Sequence, residues 1–337
     1  MRIGKSILWV VLLALAGAFT RDAFAQAEKE AQAGFRFLEN PVAAEAVGRG
    51  GVGVTMLRNA SALFWNPAGI GWIDGTDIGF HYTVGFADID QMSAAVASDF
   101  GSLGVVGVSV TRMDYGTFYL TRRANNEQGF EETGEFTPQA MAVGLAYSRA
   151  MSDRFTFGVQ AKLVHQDLGD AWIAPFLEGG GAADPTLKSY SMTVPAVDVG
   201  ALYDFQAFGL TFGAAIQNVS YEVRYEEEQF PLPFNVRFSM TVDPIALMHS
   251  DSPYHNVTFG AETWKGRDFG TKMQFGAEYS FMEQFFVRAG YMGGYSERGM
   301  TLGAGFHKFD IRFDYAFQEM GVLGNIHVLS LAYALGR

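Results

Sequence analysis

From about residue 76 to the end of the chain, large apolar residues alternate with small or polar ones. Ile78, Phe80, Tyr82, Val84 and Phe86 alternate with Gly79, His81, Thr83 and Gly85. Met141, Val143, Leu145 and Tyr147 alternate with Ala142, Gly144, Ala146 and Ser148, and Met273, Phe275, Ala277, Tyr279 and Phe281 with Gln274, Gly276, Glu278 and Ser280. A period of two is that of a β-strand, whose side chains point alternately to opposite faces. Each segment therefore has one apolar face and one small or polar face.

Candidate strands fall at 76–87, 90–100, 103–115, 138–151, 154–167, 190–204, 208–220, 231–243, 254–264, 270–281, 284–293, 299–308, 309–318 and 326–334. Many of these runs exceed the usual strand of about 5 or 6 residues, and a tilted membrane strand needs about 9 to 11. The polar faces carry Lys162, Glu262, Glu278, Arg288, Arg312 and Asp314 in mid-strand. In a membrane barrel such charges face a wet lumen and can pair there. The connections after odd strands include the long polar segments 116–137, 168–189 and 221–230. Those after even strands are mostly tight, as at Gly101-Ser102, Ser152-Asp153 and Met282-Glu283, with Pro244 to Pro253 the exception. Short turns on one side and long loops on the other is the pattern of an outer-membrane barrel. The predicted fold is all-β: a transmembrane antiparallel β-barrel of about fourteen strands over 76–337.

The first 75 residues do not alternate. Arg2 and Lys5 precede an apolar run from Ile7 to Phe19, and Ala23-Phe24-Ala25 reads as a cleavage site before Gln26. Residues 1–25 are thus expected to be a secretory signal peptide. The run would reach only about 20 Å as a helix, short of a ~30 Å hydrocarbon core. Residues 26–75 are expected to form a short plug or hatch ahead of the first strand. They hold Gly48-Arg49-Gly50-Gly51-Val52-Gly53, a literal G-x-G-x-x-G. A dinucleotide site needs a preceding strand and a following helix. Here Pro41 to Ala46 precedes and Val54-Thr55-Met56 follows, so the glycines read as close packing and positive φ. A short helix is expected at 60–65, capped by Asn59 and stopped at Asn66-Pro67, with a turn at Ala68-Gly69.

Composition narrows the function. Lys+Arg number 24 against 36 Asp+Glu, for a net charge of −12. With no basic run, nucleic acid is not an expected partner, because phosphate neutralisation needs clustered cations. There is no cysteine, which removes disulfides, thiolate metal sites and cysteine nucleophiles. The histidines, His81, His165, His249, His255, His307 and His327, are scattered, and there is no H-x-x-x-H pair and no G-x-S-x-G elbow. No cofactor, metal site or catalytic residue is expected, and the chain reads as a non-enzyme.

Gly48 to Gly53 followed by Ala60-Ser61-Ala62-Leu63-Phe64-Trp65-Asn66-Pro67-Ala68-Gly69 resembles the N-terminal signature of the PorV/PorQ family, within the FadL-like outer-membrane proteins. Gly324 to Leu331 is similar to that family's last loop and strand. Gly48, Gly50, Gly51, Gly53, Asn66, Pro67, Ala68 and Gly69 carry the motif. The resemblance implies a fourteen-stranded barrel in the bacterial outer membrane that serves type IX secretion. It would meet outer-membrane lipid, the type IX translocon and the C-terminal domains of secreted cargo, or an attachment complex.

The loops are the expected contact surfaces. Segment 168–189 holds Trp172, Ile173, Phe176 and Leu177 ahead of Gly179-Gly180-Gly181, and 116–137 holds Phe118, Tyr119, Leu120, Phe130 and Phe136. Apolar residues on exposed loops either meet a partner or fold inward to cap the barrel. The alternative function is a FadL-type transporter of hydrophobic small molecules. That needs an apolar pocket in the lumen, whereas the inward positions are mostly Gly, Ala, Ser, Thr and charged.

Overall fold

A computed structural model describes residues 33–173, 186–206, 209–247, 254–267 and 270–336. The expected signal peptide (1–25), Phe176, Leu177 and His249 lie outside these.

Fourteen antiparallel strands close into a barrel. In chain order they begin with β1 (Thr76–Val84), β2 (Asp90–Asp99), β3 (Val105–Asp114), β6 (Gln139–Ser152) and β7 (Phe155–Ile173). They continue with β8 (Thr186–Phe205), β9 (Leu210–Val219), β12 (Asn235–Val242), β13 (His255–Gly266) and β14 (Lys272–Phe281). The last are β15 (Phe285–Gly293), β16 (Met300–Lys308), β17 (Ile311–Glu319) and β18 (Asn325–Leu335), and β18 pairs back onto β1 from Thr76↔Leu335 to Val84↔His327. Two small hairpins stand outside the wall: β4 (Phe118–Arg123) with β5 (Phe130–Phe136), and β10 (Val223–Arg224) with β11 (Gln229–Phe230). All fourteen expected strands are present, each within a few residues of its predicted position, apart from extensions of β7 and β8.

The faces follow the alternation. Phe80, Leu145, Phe238, Val287 and Leu331 point outward and are largely exposed, while Asp77, His81, Gln160, Glu262, Arg288 and Asp314 are buried inside. An apolar exterior around a polar interior suits hydrocarbon outside and a hydrogen-bonded filling within. Among the described residues no helix is long and apolar enough to cross a membrane.

The turns sort by side. Phe309 and Asp310, and Met282 and Glu283, adopt positive φ in two-residue turns, the geometry that matches strand twist. These tight turns share one end with the start of β1 and the end of β18. The connection there that departs from the rule carries a short helix, Pro244–Leu247. The long connections gather at the opposite end, the extracellular side in bacterial barrels.

Three sequence expectations need correction. Segment 168–189 is not a loop throughout: β7 continues to Ile173 and β8 starts at Thr186, with Trp172 opposite Leu187 and Ile173 opposite Thr186. The strand survives Gly169 because a bulge between Asp167 and Asp170 absorbs it, with Gly169 at φ 79°. Segment 116–137 is a paired hairpin. The chain does not simply turn at Ala68-Gly69: a second 3₁₀ helix, Pro67–Trp72, starts at once.

Candidate functional site: the occupied lumen and the extracellular rim

Residues 33–75 run through the lumen from its long-loop end to its short-turn end. The Gly34 amide donates to Pro231 O at 3.2 Å, in the long-loop rim. Phe35 and Phe37 pack with Met113, Val194 and Leu232 near the same end. At the other end, Asp99 N donates to Gly75 O at 2.8 Å beside the close of the barrel. Between these points lie short helices: Arg36–Glu39, α1 (Ala44–Gly48), Ala60–Phe64 and Pro67–Trp72.

The segment meets the wall all round. Ala44 N donates to Ser330 on β18, Ala60 N to Asp77 on β1, and Gly50 N to Thr301 on β16, all within 2.9 Å. Thr55 shares a 2.8 Å hydrogen bond with Ser239 on β12. Gln217 on β9 donates to Phe64 O, and Thr156 on β7 to Ala68 O, both at 3.1 Å. Leu63 and Ile70 pack with Ala95 and Ala97 of β2 and Val105 of β3, and Val47 packs with Ala316 of β17. Backbone donors and acceptors of irregular chain must find partners when buried, and here the barrel wall supplies many of them.

The small inward residues make room for this chain. A Cβ on Gly290 would strike the backbone of Arg49 and Gly50, and one on Gly158 would strike Pro67 and Ala68. Wall glycines thus let luminal backbone approach strand backbone directly.

The motif residues all lie in this segment. Asn66 is fully buried and caps the Pro67–Trp72 3₁₀ helix: its Oδ1 accepts from Ala68 N at 3.0 Å, and its Nδ2 donates to Val54 O and to Ala201 O of β8. Pro67 occupies the first helical position, where a missing N–H costs nothing. A Cβ on Gly69 would meet Ala62 and Leu57 O at 2.6 Å. Gly50 and Gly51 have φ of 68° and 81°, and a Cβ on Gly53 would strike the Trp65 indole. Gly48 packs against Gly303 of β16. These residues are therefore brought together as a packing and capping unit; Trp172 and Ile173 stand apart, at the outer end of β7.

The wall charges pair with one another and with the luminal segment. Arg288, 2% exposed, donates through Nε to Glu278 at 2.5 Å and through Nη1 to Asp314 at 2.6 Å. Glu278 also takes Arg49 of the segment at 3.0 Å. Glu262 pairs with Arg237 at 3.0 Å and accepts from Gly53 N and Val54 N at 3.1 Å each. Asp77 holds Arg312 at 2.6 Å, and Lys162 holds Asp198 at 2.8 Å. The charged residues were visible in the sequence, but Arg49 as their partner was not. Among the described residues no group of His, Asp or Glu could hold a metal ion.

Above the lumen, the rim is built differently around the circumference. The loop from 220 to 234 folds inward: Val223 and Leu232 are buried with Phe35 and Phe37. The β4–β5 hairpin does not. Phe118, Tyr119 and Phe130 are 48%, 61% and 43% exposed, among Glu127, Glu131, Glu132 and Glu135. In the loop between β15 and β16, Tyr295 stacks near Trp264 and beneath Lys272 and Arg298. Burial there pushes the Tyr295 hydroxyl up to about 12.

Residues 55–333 match the family described as type IX secretion system membrane protein PorP/SprF. The chain belongs to that family. The match is to PorP/SprF and does not extend to the PorV/PorQ resemblance. No curated protein sequence matches the chain. Among solved structures it is similar in fold to the Pseudomonas putida toluene transporter TodX, at 12% identity and a TM-score of 0.57 over 88% of this chain and 99% of that one. It is also similar to the Ralstonia pickettii toluene transporter TbuX, at 11% identity and TM-score 0.56 over 87% and 98%. A Pseudomonas aeruginosa FadL homologue follows at 11% and 0.51 over 88% and 99%. At these identities the likeness is one of fold: a FadL-like barrel.

Proposed function

We propose that this PorP/SprF-family barrel serves type IX secretion by protein–protein contact at the cell surface, without catalysis and without passing solute through its lumen. One observation carries the reading: the luminal segment hydrogen-bonds or packs against strands all round the barrel while the rim projects the aromatic β4–β5 hairpin and the extended ends of β7 and β8. In this reading residues 33–75 are a plug that seals the lumen, and the protein reaches the outer membrane after signal-peptide cleavage before Gln26.

The partners proposed are the type IX translocon and the C-terminal domains of secreted cargo, or an attachment complex as the PorV/PorQ resemblance implies. Trp172, Ile173, Phe176 and Leu177 are proposed contact residues alongside the hairpin. FadL-type transport of hydrophobic molecules has the fold likeness in its favour, but the inward wall offers glycine, hydroxyl and paired charge where that activity needs an apolar lining.

The test is a pair of deletions in the producing cell, one removing 170–181 and the other replacing 117–137 with a short Gly-Ser turn. Each barrel should still insert and resist unfolding in detergent, while surface display of type IX cargo falls. Normal display in both deletions, with both barrels folded, overturns the assignment.

A further inference from the structure

The outer wall is not uniformly convex. Near the extracellular rim a cavity of about 610 Å³ lies between β9, β12 and β13, lined by Val219, Val236, Phe238, Thr263, Lys265 and Arg267 among others. Its size falls within the range of about 300–1,000 Å³ usual for small-ligand sites. It lies where β12 begins only at Asn235, opposite Gln217, while β9 runs on to Val219 beside β8. Asn218 turns to φ 60°, held by Asp198, whose Oδ1 accepts from Asn218 N at 2.8 Å, and by Pro233 O, which accepts from Asn218 Nδ2 at 3.1 Å. The β8–β9 register shifts at the same place, between Val197 and Val199. Past Gln217, β9 has no β12 residue beside it, and the chain from Pro231 to Phe234 borders the gap instead.

The lining is sorted by height. Phe238 and Thr263 are opposite one another, and one step outward Val236 faces Lys265. All are on the lipid-facing side, and Phe238 and Val219 are 59% and 44% exposed. Apolar surface thus lies below, toward the middle of the wall. Lys265 sits at the top, exposed, and among the described residues it has no carboxylate in ion-pair reach. Arg267 stands beside it, bound to Glu222 at 2.9 Å on the outer edge. An apolar trough capped by cations at headgroup level is complementary to an anionic amphiphile.

We propose that this groove seats one outer-leaflet lipid, its acyl chain lying on Val219, Val236 and Phe238 and its phosphate held by Lys265 with Arg267. This inference is independent of the secretion reading, because it concerns the barrel's lipid-facing wall.

The test uses the full chain in nanodiscs of dioleoylphosphatidylcholine with a minor fraction of dioleoylphosphatidylglycerol, released for native mass spectrometry. The expected result is one phosphatidylglycerol retained on the monomer in preference to phosphatidylcholine. Lys265→Ala with Arg267→Ala should lower that retention about 25-fold, from about one factor of five per cation near the surface. Phe238→Ala should lower it without altering the charge preference. Lys308→Ala, a cation over Phe309 at the opposite end of the wall, should leave it unchanged. Equal retention of both lipids, undiminished retention in the double variant, complete displacement by inorganic phosphate, or burial of the groove in a dimer would each overturn the proposal.

Discussion

Glu262 of the wall and Gly53 of the luminal segment are joined by a 3.1 Å hydrogen bond from the Gly53 amide to Oε2, an oxygen that also accepts from Val54 N. The other oxygen, Oε1, takes the Arg237 guanidinium at 3.0 Å, and Arg237 in turn lies about 5 Å over the Trp65 and Trp264 rings. One carboxylate thus organises a turn of the segment, a wall cation and two indoles.

Glu262→Ala leaves a buried guanidinium and two buried N–H groups without their acceptor. Breaking one side of a buried pair costs about 3–5 kcal/mol. The variant barrel should melt earlier in detergent and lose protease resistance first within 41–60, while Glu262→Gln, which keeps an acceptor oxygen, should lose less. Heat-modifiability on gels with mapping of the first cleavage sites reads both.

Asn66→Ala removes the cap on Ala68 N and the donor to Val54 O and Ala201 O. Stranding these buried groups costs about 1–3 kcal/mol. A thermal melt should show a clear fall, and Asn66→Asp, which can cap but cannot donate, should fall between the two. Equal stability of Asn66→Ala and the parent would remove the motif's assigned role.

The direction of the luminal segment is open to labelling, because the chain has no cysteine of its own. Arg36, near the extracellular end, and Thr121, on the β4 hairpin strand, should react as cysteine variants with an impermeant maleimide on intact cells. Asp74→Cys and Met282→Cys, at the opposite end, should react only after the outer membrane is opened. Labelling of Asp74→Cys on intact cells would mean that the segment runs through the lumen the other way.

What the sequence disclosed was what depends on local alternation. Ile78 to Phe86, Met141 to Tyr147 and Met273 to Phe281 each declare a strand and its outer face unaided, and the turn lengths declared the side. Departures from alternation hid the rest. Gly169 reads as a break but is a bulge, and β5, Phe130-Glu131-Glu132-Thr133-Gly134-Glu135-Phe136, has polar residues on both faces because both are exposed. The inward folding of Leu232 was equally hidden, since prolines on both sides of it mark a loop whichever way it lies. Pairings across hundreds of residues, such as Arg49 with Glu278, leave no trace in spacing. Asn66-Pro67-Ala68-Gly69 was legible as a motif, but its task of capping a helix against β7 and β8 was not.

The central claim is that the lumen is sealed by its own N-terminal segment and that the protein acts through its rim. Ion conductance of the purified full chain in a planar lipid bilayer tests it most directly. A sealed lumen predicts no steady conductance from the intact protein, and an opening in Gly290→Val, whose added side chain would strike Arg49 and Gly50 and displace the segment. A stable, ohmic channel from the unaltered chain would contradict it.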